Sequence, residues 1–193
     1  MELGPVERIT AGAIGEPGER TFYLQAAQNR RVVSLTIEKQ QAIWLAEGVE
    51  RLFERLGQHV PEHLVDLEPA EGDLSLLSPI VSRFRVSQMG MGIDESRRLV
   101  VLVVEGGPPR EDDDDDIDLG EDPTAKRPVD EEGRPIPRGR FTVSYDRMLA
   151  LARHAIDVAE RGGRPRCPQC GEPMDPEGHF CARRNGHHRL PDA

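Results

Sequence analysis

The apolar positions change period along the chain, and each change marks an element. Arg8 to Gly15 carries Ile9, Ala11 and Ala13 in alternation and predicts a strand, closed by the turn signal Glu16-Pro17-Gly18-Glu19. Arg20 to Ala27 alternates Phe22 and Leu24 against Tyr23 and Gln25, and Val32 to Ile37 places Val33, Leu35 and Ile37 on one face. Short turns between these runs predict an antiparallel meander. The period then shifts to three and four. Ala42, Leu45, Ala46, Val49, Leu52, Phe53 and Leu56 form the stripe of an amphipathic helix ended by Gly57, with Trp44 expected to cover the stripe's margin.

After a connection rich in Pro, Glu and Asp from His59 to Pro79, the sequence of patterns recurs. Phe84 to Gly92 and Arg97 to Glu105 predict two strands, the second β-branched and apolar enough to be central in a sheet. Arg138 to Val143 predicts a third. Ser144 is placed to cap a helix whose stripe is Tyr145, Met148, Leu149, Ala152, Ala155, Ile156 and Ala159, stopped by Gly162-Gly163. Arg8 to Leu24 can be laid over Arg85 to Val101 at one gap-free offset, and Leu35 to Lys39 over Val143 to Arg147 at a larger one. The reading is an internal duplication of a strand-strand-strand-helix unit, over residues 6–57 and 83–162, with an acidic insertion in the second copy. The expected fold is α+β. An antiparallel sheet of about six strands carries two helices on one face with pseudo-twofold symmetry, leaving the other face to solvent or a partner.

Composition changes this picture in two places. From residue 106 to 137 the chain turns to Asp, Glu, Pro and Gly, with the run Glu111 to Asp116, and is expected to be a disordered loop that attracts a basic partner. Five consecutive aspartates lack the interleaved spacing of a calcium loop. The 193 residues carry a formal net charge of −10 and 4% aromatics, which disfavours general binding to nucleic acid, anionic membranes or stacked bases. No apolar run reaches the ~20 residues of a membrane span. The N-terminus has no basic flank or apolar core of an export signal, so the expected compartment is the cytoplasm.

The second change is chemical. All three cysteines and half of the six histidines fall within Cys167 to His188, so the chain divides into a body over residues 1–163 and a tail over 164–193. Cys167-Pro-Gln-Cys170-Gly171 has zinc-knuckle form. Two thiolates two residues apart chelate one tetrahedral ion if the chain turns tightly, and Pro168 and Gly171 favour that turn. Cys181 supplies a third thiolate. The fourth ligand is His179 or His187: the first is close but needs the chain to curl, and the second follows a turn at Asn185-Gly186. A closed Cys₃His set points to structural zinc, and three thiols in a chain without an export signal disfavour a disulfide.

Phe84-Arg-Val-Ser-Gln-Met together with the tail Cys-Pro-x-Cys-Gly-x-Pro-x-Asp-Pro-x-Gly-His-x-Cys-x-Arg-x-Asn-Gly resembles an actinobacterial family of uncharacterised proteins, domain of unknown function 3090, over nearly the whole chain. The resemblance implies a small cytosolic protein with a C-terminal metal-like motif matched here by Cys167, Cys170, His179 and Cys181, and implies no activity. The long aspartate run is not part of that pattern.

Three readings compete. The first is a non-enzymatic module whose zinc knuckle docks an unidentified protein partner. The second is nucleic-acid contact through the locally basic tail, with Arg183 and Arg184 on phosphates. The third is a metal-dependent enzyme, for which Asp175 and Glu177 are the nearby carboxylates. Neither the scattered His59, His63 and His154 nor the pairs Gly12/Gly15 and Gly90/Gly92 form a catalytic or phosphate-binding motif.

Overall fold

A computed structural model describes residues 1–16, 18–55, 74–94, 96–107, 129–130, 132–161, 169 and 181. Strands β1 (Glu2–Leu3), β2 (Arg8–Ile14), β3 (Thr21–Gln28) and β4 (Arg31–Ile37) precede helix α1 (Lys39–Arg55). Strands β5 (Ser82–Asp94), β6 (Leu99–Gly106) and β7 (Arg138–Ser144) precede helix α2 (Tyr145–Arg161). The fold is a mixed α+β arrangement with a seven-stranded sheet in the order β1-β7-β6-β5-β4-β3-β2. The pattern predicts about six strands. The extra one, β1, is two residues long and is followed by Pro5, so it leaves no alternation to read.

The sheet is not uniformly antiparallel. β2-β3-β4 and β5-β6-β7 are antiparallel meanders, but β4 pairs with β5 in parallel, and β7 pairs with β1 in parallel. Each opening strand serves two neighbours. Ser82 and Arg85 pair with Ser34 and Thr36 of β4, whereas Val86 to Asp94 pair with β6. Likewise Glu2 and Leu3 pair with β7, while Arg8 to Ile14 pair with β3. Between them, Val6 N–H donates to Thr142 O and Glu7 N–H to Ala27 O, both at 2.9 Å. The N-terminal segment therefore links the two edges of the sheet and closes it at this end. Gly4 makes the link possible, because a Cβ there would lie 1.7 Å from Thr142 Oγ1.

The helices cover these two parallel seams. α1 packs against β5, α2 packs against β2, and the helices pack on each other. The end of α1 meets the start of α2, where Phe53 and Tyr145 stack edge-to-face with centroids 5.1 Å apart. Alternate strand residues face this layer: Leu24, Leu35, Val86, Leu102 and Phe141 join Leu45, Val49, Met148 and Leu151 in one core. Each such side chain contributes about 1.5–3 kcal/mol on burial. The start of α1 is fixed by Gln41. Its Oε1 accepts from Glu38 N–H at 2.8 Å, and its Nε2 donates to Val86 O at 3.1 Å, tying the helix to β5.

The pairing registers relate the two units in detail. Glu2 pairs with Arg140 and Ser82 with Ser34; Gly12 pairs with Tyr23 and Gly92 with Val101; Gln25 pairs with Ser34 and Val103 with Arg140. One correspondence satisfies all of these. It runs 80 positions along the first strand (Gly12 to Gly92) and 78 along the second (Gln25 to Val103). It runs 106 along the third strand and the helix (Ser34 to Arg140). The buried helix positions obey the last offset: Ala42, Leu45, Ala46, Val49 and Phe53 match Met148, Leu151, Ala152, Ala155 and Ala159. The gap-free sequence offset is thereby corrected. The β2–β3 turn holds residues 15–20 and the β5–β6 turn only 95–98, so the strands cannot share one shift. The same offset of 106 corrects the overlay of Leu35 on Val143 to Leu35 on Phe141.

Two further expectations change. Residues 108–128 lie outside the described residues, but the end of the acidic stretch has structure. Val129 and Pro135 form a β-bridge, and Gly106 N–H donates to Pro137 O at 2.8 Å. Trp44 does not cover the stripe margin: it is 58% exposed, while Ile43 packs against the core.

Candidate functional site

The sheet face opposite the helices was expected to be open, and it is not. Thr10, Gln25 and Ser34 are buried on that face of the first unit, and Val101, Val103, Glu105 and Thr142 on that of the second. The buried polar side chains of the first unit are satisfied by partners there. Thr10 Oγ1 donates to Leu74 O at 2.6 Å. Gln25 Nε2 donates to Ser34 Oγ at 3.0 Å and Leu77 O at 2.9 Å, and its Oε1 accepts from Leu77 N–H at 2.7 Å. Arg8 donates to Ser75 O. The segment Leu74–Leu77, which precedes β5, is thus strapped across β2 and β3, with Ser34 of β4 bonded to the Gln25 that grips it. Leu76 rests on Gly12, where a Cβ would come within 2.5 Å of its Cγ.

On the second unit the same face has different chemistry. Gly90 and Gly92 of β5 flank Val103 and Val101 of β6, which are 0% and 7% exposed. At one end Glu105 is buried and its Oε1 lies 3.5 Å from Arg138 Nε. Around them, Ser87 Oγ donates to Glu105 O at 3.1 Å, the N-terminal amine of Met1 to Arg138 O at 2.6 Å, and Arg140 Nη1 to Glu2 Oε1 at 3.0 Å. The buried carboxylate is tied to the Arg138 guanidinium, while the backbone carbonyl of Arg138 and the Arg140 guanidinium fasten the N-terminal strand, an arrangement suited to holding structure. Sequence patterning treats Gln25, Ser34 and Glu105 as the solvent side of their strands. The visible hint was that β6 reads apolar on both faces.

The predicted metal ligands meet the structure at one point. Cys181 is described and is buried, at 4% exposure. Cys167, Cys170, His179 and His187 lie outside the described residues, as do Arg183, Arg184, Asp175 and Glu177. The structure neither gathers nor separates that set. Gln169, between Cys167 and Cys170 in sequence, is exposed. Among the described residues there is no cluster of three or more His, Cys, Asp or Glu side chains able to hold a metal. His154 lies half-buried on α2, and His59 and His63 fall outside the described residues.

Among the described residues two carboxylates are shifted, both at turns. Asp94 is held below the ordinary carboxylate range first by the Ser96 hydroxyl, which donates at 2.7 Å, with the Arg97 N–H and charge adding to it against an opposing cost of burial. Asp130 is lowered chiefly by the Arg134 N–H at 2.8 Å and its guanidinium. Both are turn-forming contacts of half-buried carboxylates.

The family model described as Protein of unknown function (DUF3090) matches residues 1–181. The chain belongs to this family of uncharacterised proteins, whose match takes in both strand-strand-strand-helix units and ends at Cys181. No curated protein and no solved structure matches the chain. No described helix is long and apolar enough to cross a membrane.

Proposed function

We propose that the protein is a zinc-binding interaction module, non-enzymatic, in which Cys167, Cys170, Cys181 and one of His179 or His187 hold a single structural ion. The knuckle so formed docks a protein partner in the cytoplasm. The ligand spacing carries this reading, and the burial of Cys181 supports it, since a structural thiolate site excludes water. The two units are read as copies of one ancestral strand-strand-strand-helix unit, supported by their common registers. Contact with RNA or DNA through Arg183 and Arg184 is the competing reading, carried by the local run of arginines.

Purified protein should contain about one zinc per chain, as a closed four-ligand site holds one ion. Cys170→Ser should release it with the body still folded. Metal-free protein with three titratable thiols overturns the proposal. A pull-down with and without residues 166–193 then tests docking, and a salt-dependent nucleic-acid shift lost on changing Arg183 and Arg184 would transfer the proposal to the competing reading.

A further inference from the structure

We propose that the exposed margin of the β4–β5 seam, on the sheet face opposite the helices, is a docking site for an extended acidic peptide that carries aliphatic side chains. The pairing registers assemble it. Val32 lies two positions before Ser34 on that face of β4. Ser34 pairs with Gln25, whose side chain holds Leu77, and with Ser82, which follows Val81. The Leu74–Leu77 strap leaves this end uncovered: Val81 is 69% exposed, Val32 40% and Leu77 37%. Exposed arginines flank the three aliphatic residues, Arg30 and Arg31 on one side and Arg83 on the other. At about 3.3 Å per residue along a strand and about 4.8 Å between strands, Arg31 and Arg83 stand on the order of 15 Å apart, the reach of about five extended residues.

Charge identifies the occupant. The second unit neutralises the arginines of its own seam from within: Glu2 pairs with Arg140 at 3.0 Å and Glu105 with Arg138 at 3.5 Å. In the first unit Ser82 and Ala27 stand at the places of those two carboxylates. Arg85 is taken by Glu38 at 2.6 Å, and Glu7 Oε2 accepts from the Asn29 N–H at 3.0 Å. Among the described residues, no carboxylate pairs with Arg30, Arg31 or Arg83. Uncompensated cations around an aliphatic centre stand out in a chain of formal net charge −10, and they complement a ligand that brings carboxylates and aliphatic groups together. A nucleic acid offers phosphates without aliphatic side chains, and the acidic surface beyond the seam repels a long polyanion. The site lies wholly on the body and does not depend on zinc.

Fluorescence polarisation of a labelled Asp-Asp-Ile-Asp-Leu-Asp-Asp peptide, titrated with the full chain, tests it. Binding should weaken about tenfold in the double variant Arg31→Glu, Arg83→Glu and about threefold in Val81→Ser, all at exposed positions that leave the core intact. It should stay within about twofold of wild type in Arg51→Glu, on the outer face of α1. In amide spectra of the full chain the peptide should shift residues 30–32, 77 and 81–83. No binding at about 1 mM protein overturns the proposal. An equal loss in Arg51→Glu also overturns it, because it marks diffuse attraction. Wild-type affinity in Val81→Ser does the same by removing the aliphatic contact. An unlabelled oligothymidylate of equal charge that displaces the peptide assigns the arginines to phosphate and overturns it too.

Discussion

The two units share a backbone plan and differ in how each protects the sheet face that its helix does not cover. In the first, the strap Leu74–Leu77 is held by polar contacts: Gln25 both donates to and accepts from Leu77, and Thr10 donates to Leu74. In the second, Val103 takes the place of Gln25, Gly90 that of Thr10, and Arg140 that of Ser34. The helix side is complementary in another way. Leu35 of the first unit corresponds to the larger Phe141 of the second, while Val49 and Phe53 of α1 correspond to the smaller Ala155 and Ala159 of α2, all in one core. A bulky strand residue is matched by small helix residues, as close packing in one shared core demands. Corresponding backbone positions therefore do not imply interchangeable side chains. The pairing pattern is common to both units, while the protection of the second face is specific to each.

The comparison is most severely tested in the core. Phe141→Ala should lower stability by about 3–5 kcal/mol, because the Ala-lined face of α2 cannot collapse into the void. Leu35→Ala should cost about 2–5 kcal/mol and sit at or below that value, as the bulkier α1 residues can relax inward. Chemical denaturation with an unchanged slope reads both, and a Leu35→Ala loss well above that of Phe141→Ala would break the proposed complementarity. Next in size is Gln25→Val, which installs the side chain of the second unit in the first. It should cost about 1–3 kcal/mol by leaving the Leu77 N–H and C=O without their partner. Amide exchange at Leu77 should quicken selectively, and unchanged exchange there would show that the strap is held by apolar contact instead of by Gln25.

The smallest effect concerns the turns. The β5–β6 turn relies on Asp94, which accepts from Ser96 and Arg97; the longer β2–β3 turn instead has Gly15 at a φ of 114° and Arg20 donating to Gly15 O. Because the folded Asp94 carboxyl is lowered, its contribution is present above its unfolded pKa and is lost as the pH falls through the folded one. Ser96→Ala should move the Asp94 titration midpoint upward by NMR. An unmoved midpoint would assign the shift to Arg97 instead.

Most elements were legible in the sequence because each has an apolar period of its own. Both helices and the six longer strands fall within a few residues of their expected bounds. β1 was not legible, since two residues carry no period and their pairing with β7 depends on a contact made across almost the whole chain. The closed edge, the parallel seams and the covered second face were missed for the same reason. Polar residues such as Gln25 and Ser34 look like solvent positions until Leu74–Leu77 is laid over them. Of the candidate metal site, the ligand spacing was legible, and the structure adds the burial of Cys181.

Local pattern by itself determined which residues form strands and helices, where the chain turns, and which segment concentrates thiols. Those properties arise from backbone sterics and from apolar periodicity within a dozen residues. Tertiary structure decided that the sheet closes through Gly4 to Glu7, that each helix serves the other unit's opening strand, and that both sheet faces are buried. These outcomes rest on pairings between residues that are distant in sequence, where register and side-chain fit, rather than local period, select the arrangement.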